Sequence, residues 1–267
     1  MRRLLSFNCD GAALGASLDD SAGATGLLMV TGGTQTRIGS HRMYERLAKR
    51  LAEQGFPCFR YDRRGVGDSE GENSDWRDSG PDIAAAAAAF RRECPHVQRL
   101  IGFGLCDGAS VLAFHGLEAG LHGLIMLNPW LVETQVGTVA PAAVKAHYRQ
   151  RLTSVAGWRK LLSGSVSYKK LLRGIASLFS SGPSTLSEEI ASALEADAFE
   201  VELILASRDG TAIAAEAEWN GRAYRRIRQS SSPLQRIDSD SHTFARPGDE
   251  EALAEAVLSA LRRLGRG

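Results

Sequence analysis

Gly104-Leu105-Cys106-Asp107-Gly108 follows directly on the apolar run Leu100-Ile101-Gly102-Phe103. It has the G-x-S-x-G spacing of a nucleophile elbow, with cysteine at the centre. In such an elbow a strand turns sharply into a helix, and the central side chain stands above a sheet in a strained backbone conformation. Glycine is needed on both sides because a Cβ there would collide with the neighbouring strand and helix. The chemistry this predicts for Cys106 is nucleophilic attack. A thiolate is a strong nucleophile near neutral pH, and helix N-termini favour it.

A cysteine nucleophile needs a base, and the base needs a group to orient it. Asp209 comes just after the apolar run Val201–Ala206, in an Asp209-Gly210 turn. His242 lies in Asp238-Ser239-Asp240-Ser241-His242-Thr243-Phe244, after a later predicted strand. His242 could take the thiol proton and return a proton to the leaving group. Asp209 could fix the histidine tautomer and stabilise imidazolium. Asp238 and Asp240 are rival acids, but both sit too close to His242 in sequence to reach it from a separate strand end. The N–H of Asp107 is one expected oxyanion donor. Gly33, in Thr31-Gly32-Gly33-Thr34, is the other, with Thr34 as its neighbour. His41 is a candidate substrate contact near that loop. His96, His115, His122 and His147 read as surface or packing residues.

These groups work together only if several strand ends meet. Asp10-Gly11 between two short apolar segments predicts a hairpin over Leu4–Asp19. Gly26–Val30 reads as a buried strand. A helix is expected over Ser40–Gln54, with Ser40 as N-cap and Gly55 as its stop. Cys58–Asp62 is the next strand, Ser79–Arg92 an Ala-rich helix, Val97–Gly104 the strand into the elbow, and Asp107–Glu118 the elbow helix. Gly123–Asn128 follows as a strand. After a break, strands are expected at Val201–Ala206 and Leu234–Ile237, with helices at Thr211–Asn220 and Asp249–Leu264. This alternation predicts an α/β fold: a doubly wound, mostly parallel sheet with helices on both faces. In such sheets ligands bind beyond the carboxyl ends of the strands.

The break suggests one core domain, residues 1–130 and 199–267, interrupted by a helical cap over 131–198. From Thr134 to Ser187 there is no Asp or Glu, whereas Lys145, Arg149, Arg151, Arg159, Lys160, Lys169, Lys170 and Arg173 all occur there. Trp158, Tyr168 and Phe179 are interleaved with them. Such a basic amphipathic stretch would suit an acidic substrate or anionic lipid headgroups, or it is a solvated face balanced by acids elsewhere.

The whole chain of 267 residues carries a net charge of +1, which gives no argument for nucleic acid as a partner. Cys9, Cys58, Cys94 and Cys106 are far apart and show no metal-ligand spacing, so neither a zinc site nor a disulfide framework is expected. No cofactor is called for. The N-terminal apolar run is broken by Asn8 and Asp10, against a signal peptide, and no stretch is long enough to span a membrane. A cytoplasmic protein is the expectation.

Arg60-Tyr61-Asp62-Arg63-Arg64-Gly65-Val66-Gly67-Asp68-Ser69 lacks the Lys-Ser/Thr of a phosphate loop and reads as a structural turn, with Asp62 or Arg64 in a buried hydrogen-bonded set. The same stretch resembles the D-x-R-G-x-G-x-S loop of the α/β-hydrolase superfamily. The order Cys106, Asp209, His242 is also the nucleophile–acid–histidine order of that superfamily. Within it, Gly104-Leu105-Cys106-Asp107-Gly108-Ala109-Ser110 and Leu127-Asn128-Pro129-Trp130 resemble the exosortase A system-associated hydrolases of type 1. That resemblance implies a bacterial Cys-His-Asp hydrolase tied to exopolysaccharide and protein-sorting loci. It implies an ester or thioester substrate and an acyl-cysteine intermediate. Two departures from the wider superfamily stand out: Cys replaces Ser, and Thr31-Gly32-Gly33 replaces the usual His-Gly oxyanion motif. Acyl transfer to a sugar or alcohol, and a non-catalytic binding role on the same fold, are the alternatives. Oligomeric state is open.

Overall fold

The computed structural model describes residues 1–73, 75–132, 185–196 and 199–266. The basic, acid-free stretch lies almost entirely outside them. The described chain builds an eight-stranded sheet. Its strands are β1 (Arg2–Cys9), β2 (Ala12–Asp19), β3 (Thr25–Val30), β4 (Cys58–Tyr61), β5 (Arg99–Leu105), β6 (Gly123–Leu127), β7 (Glu200–Ala206) and β8 (Gln235–Ile237). Their spatial order is β1-β2-β4-β3-β5-β6-β7-β8. The β1–β2 and β2–β4 pairings are antiparallel and the rest parallel. The predicted α/β class and the Asp10-Gly11 hairpin are therefore present.

Side-chain alternation sends the strands' apolar residues to two faces. Leu27 and Met29 of β3, with Ile101, Phe103 and Leu105 of β5, pack against α1 (Met43–Glu53) and a C-terminal helix, Asp249–Leu264. Leu28, Val30 and Leu100 face the opposite layer, with α2 (Gly80–Glu93) and α3 (Asp107–His115). The same layer contains α4 (Thr185–Ala196), whose Leu186, Ile190 and Leu194 are buried in that core. Two further helices complete it, α5 (Gly210–Trp219) and α6 (Arg225–Ser230). The C-terminal helix is α7.

The chain leaves β3 for β4 on one side of the sheet and later fills β5 on the other. This reversal puts a crevice between the carboxyl ends of β3 and β5, the place where open α/β sheets bind ligands. Gly32-Gly33 and Cys106 come from those two strand ends.

Most boundaries shift by one to three residues from their sequence readings, and one shift has a clear cause. Ser40 is not an N-cap: Ser40–Arg42 form a single 3-10 turn, and α1 begins at Met43. His41 and Arg42 both take left-handed dihedrals, with φ 42° and 66°. This kink costs local strain and breaks the helical ladder that the periodicity implied.

Candidate active site

Cys106 joins β5 to α3 with φ 60° and ψ −127°, a conformation that a side-chain-bearing residue holds only when its surroundings enforce it. The enforcing contacts come from three directions. Its N–H donates to the Leu127 carbonyl at the end of β6 (3.1 Å), and its own carbonyl accepts from Trp130 N–H (3.2 Å). The Tyr44 hydroxyl, buried on α1, donates to the Val30 carbonyl of β3 and accepts the Leu105 N–H of β5, both at 3.0 Å. One phenol thus bridges the two strand ends beneath the elbow. Finally, α3 lies so close to β5 that a Cβ on Gly104 would stand 2.4 Å from the carbonyl carbon and oxygen of Gly108. Both glycines of the motif are required by backbone contact, since a Cβ on Gly108 would in turn meet the Val30 carbonyl oxygen at 2.6 Å.

His242 and Asp209 arrive from the far side of the sheet. His242 Nδ1 is 2.9 Å from Asp209 Oδ2. Asp209 is also the N-cap of α5, and the same Oδ2 accepts the Ala212 N–H (2.9 Å). The helix start therefore holds the carboxylate in place before it meets the imidazole. The rival acids are elsewhere: Asp238 pairs with Arg208 (2.8 Å) and Asp240 with Arg246. Burial opposes the imidazolium, but the hydrogen bonds to Asp209 and Cys106 and their charges outweigh it, and His242 is pushed up to about 10. Of the three residues singled out from sequence, Asp209 and His242 are thus in contact, and Cys106 acts on the same imidazole.

Two supports of this arrangement had no periodic signature. Asn128, fully buried with φ 40°, donates through Nδ2 to the His242 carbonyl (2.8 Å) and accepts the Ala206 N–H at Oδ1 (2.8 Å). One amide ties the end of β6 to β7 and to the histidine loop. In sequence it shows as a polar residue between a buried strand and Pro129, within the Leu127–Trp130 segment that carries the family resemblance, with no sign of these bonds. His41, proposed as a substrate contact, instead has Nε2 2.8 Å from the Thr243 carbonyl and Nδ1 3.2 Å from Arg46 Nη2. It buttresses the loop that carries His242.

The Gly33 loop is placed beside the elbow, with Thr34 exposed next to it. The Gly33 N–H donates to Asp107 Oδ2 at 2.7 Å. Its carbonyl accepts from Arg63 Nη2 (2.5 Å). The Asp107 N–H opens α3, where helical N–H groups have no partner within their own helix.

The charged loop after β4 is structural at Asp62 and Arg64, as expected. Asp62 is fully buried and accepts the N–H groups of Arg37 (2.5 Å) and Asp68 (3.1 Å), and it pairs with the Arg37 guanidinium. Arg64 Nε meets Asp82 at 2.6 Å. At the opposite, amino end of the strands, Asp20, Cys94 and His96 bring one ligand atom each within 4.8 Å of one another. Burial and the neighbouring Asp20 push the Cys94 thiol up to about 12, and the Arg3 guanidinium lies 3.6 Å from Asp20. This grouping is remote from Cys106.

Residues 28–198, about two thirds of the chain, match the family described as serine aminopeptidase, S33. The chain belongs to that family. It is therefore a member of the α/β-hydrolase superfamily, with Cys106 at the elbow of a family named for serine. No curated protein matches it in sequence. The fold is similar to that of the Pyrococcus furiosus esterase Pf2001, with a TM-score of 0.65 and 16% identity over 99% of this chain and 91% of the other. It is also similar to Est1E from Butyrivibrio proteoclasticus, solved with ferulic acid, with a TM-score of 0.64 and 15% identity over 98% and 100%. Dienelactone hydrolase from Anabaena variabilis gives a TM-score of 0.64 and 13% identity over 98% and 97%. At these identities the likeness is one of fold.

Proposed function

We propose that this S33-family protein is an acyl hydrolase that cleaves esters or thioesters through an acyl-Cys106 intermediate. The observation that carries the reading is the His242 Nδ1–Asp209 Oδ2 contact of 2.9 Å beside a cysteine held at the elbow in a strained conformation.

The chemistry follows from the protonation of His242. Burial opposes the imidazolium, but hydrogen bonds and charge from Asp209 and Cys106 raise His242 to about 10, which makes it a strong base for the Cys106 thiol proton as attack begins. Sγ attacks the acyl carbonyl carbon, and the carbonyl π pair moves to oxygen. The Asp107 N–H receives that oxygen, with Gly33 N–H as the second donor once the Asp107 carboxylate releases it. As the tetrahedral intermediate collapses, the bond to the leaving oxygen or sulfur breaks, and His242 gives that atom its proton. Water then attacks the acyl-enzyme with neutral His242 as base, the bond to Sγ breaks, and the imidazolium returns its proton to the sulfur. Asp209 keeps the ring oriented throughout. Thioesters suit this nucleophile best, because thiolate attack and thiolate departure are then closely matched in energy.

The resemblance of the elbow and of Leu127-Asn128-Pro129-Trp130 to the exosortase A system-associated hydrolases supports a bacterial exopolysaccharide or sorting context, in the cytoplasm, with the part of residues 131–198 that precedes α4 as a cap over the site. Among the described residues no helix is long and apolar enough to cross a membrane. The test is turnover of matched esters, thioesters and an aminoacyl amide by wild type, Cys106→Ala and Asp209→Asn. Thioester turnover lost in Cys106→Ala, with kcat lowered roughly a thousandfold or more in Asp209→Asn, is the expected result. Turnover of the amide alone, or turnover that survives Cys106→Ala, overturns the reading.

A further inference from the structure

The loop residue Arg63, the variable position of the D-x-R-G pattern, is not part of the Asp62–Arg64 network. It lies with Tyr61, Trp76, Thr31, Asp107 and Val111 around a cavity of about 10 Å³ at the carboxyl ends of β3 and β4, under the first turn of α3. That volume holds about one oxygen atom with its hydrogens. Two of the lining residues each have a buried polar atom with no hydrogen-bond partner: the Tyr61 hydroxyl and Arg63 Nε. Tyr61 is only 2% exposed. Orphaned buried donors are costly to a fold and mark places that a ligand or water completes. The rest of the Arg63 guanidinium is fixed, Nη1 by Ser79 Oγ (3.3 Å) and Nη2 by the Gly33 carbonyl (2.5 Å), which leaves Nε as its unused donor.

The groups around the cavity select what it takes. Arg63 Nε can only donate. The Tyr61 phenol is held well above its ordinary range by burial and stays a neutral hydroxyl, able to donate or accept. Asp107 brings a carboxylate, which can only accept. One positive and one negative group leave no net charge to attract an anion, and a carboxylate ligand would meet Asp107 at close range. A group that both donates and accepts, and is the size of a water molecule, is a hydroxyl.

Its place in the fold says which part of the substrate carries that hydroxyl. His242 and Asp209 reach the elbow from the β7–β8 side, and the leaving group must lie there to receive the imidazole proton. The cavity is over β3 and β4, on the other side of Cys106, so it faces the acyl portion. We propose that this cavity is an acyl subsite for a substrate hydroxyl, making hydroxyacyl thioesters or esters the preferred class. This rests on the acyl-Cys106 reading. It also couples recognition to chemistry: a hydroxyl donating to Asp107 competes with Gly33 N–H for the same carboxylate and frees that N–H for the oxyanion.

The experiment compares single-turnover acylation of Cys106 by N-acetylcysteamine thioesters of butyrate, α-hydroxybutyrate, β-hydroxybutyrate and succinate. At least one hydroxyacyl probe should acylate about tenfold faster than butyryl, with succinyl the slowest. In Tyr61→Phe and in Arg63→Lys that ratio should fall toward one. Tyr61→Phe should keep its melting temperature, because the lost hydroxyl has no partner in the folded chain. Equal rates for butyryl and both hydroxyacyl probes, fastest acylation by succinyl, or a hydroxyacyl preference that survives both substitutions overturns the subsite alone. No label from any probe overturns the acyl-enzyme and the subsite with it.

Discussion

Replacing Cys106 with alanine should lower the pKa of His242, and the size of the fall measures how strongly the two groups are coupled. In the native arrangement burial works against the imidazolium, while Asp209 and Cys106 each favour it through a hydrogen bond and through charge, raising it from 6.5 to about 10. Cys106→Ala removes one of these two partners and leaves Asp209 in place at 2.9 Å. A partner that acts on an imidazole through both a hydrogen bond and charge contributes about 1–3 pKa units. Because the His242 side chain is 31% exposed, solvent screening favours the low end, about 1–2 units, or about 1.4–2.7 kcal/mol of coupling. Imidazole NMR titration of wild type and Cys106→Ala reads this directly. A His242 that titrates at the same pH in both proteins, or higher in the variant, refutes the reasoning. Stability carries the same signature. The folded pKa lies above the ordinary 6.5, so the contribution is full below about pH 6.5 and disappears as pH rises through about 10. In Cys106→Ala that decline should occur at lower pH.

Two other substitutions test the scaffold. Gly104→Ala puts a methyl group 2.4 Å from the Gly108 backbone, which cannot move without shifting α3, so thermal or urea unfolding should show a loss of about 3 kcal/mol or more. Asn128→Ala strands the buried Ala206 N–H and frees the His242 carbonyl; about 2–3 kcal/mol of stability should go, and kcat should fall more than KM rises. An unchanged kcat in a folded Asn128→Ala protein would remove it as a positioning residue.

The sequence was informative where chemistry and periodicity are local. The elbow, the Asp10-Gly11 hairpin, α7 at Asp249–Leu264 and the acid of Asp209-Gly210 each depend on a handful of neighbouring residues. Asp209 and His242 could be paired because strand ends in one parallel sheet converge. What escaped depends on contacts between distant segments. Tyr44 reads as one more apolar position on α1, and only the sheet shows its hydroxyl between Val30 and Leu105. Asn128 works through two backbone groups far along the chain. Ser40 has the right residue type for a cap, but the left-handed turn at His41 and Arg42 overrides it. Leu186, Ile190 and Leu194 lie in the stretch read as a cap, and their helix packs into the layer of α3. Tyr61 and Arg63 looked like parts of a structural turn, and their orphaned polar atoms appear only once α3 covers them.

Everything proposed for this S33-family fold depends on Cys106 becoming acylated. Intact-mass spectrometry after rapid mixing with an acyl thioester, followed by peptide mapping, measures it. One acyl increment per chain is expected, mapped to Cys106, strongly reduced in His242→Ala and absent in Cys106→Ala. A folded wild-type protein that turns over the thioester with no increment on Cys106, or with the increment on another residue, would contradict it.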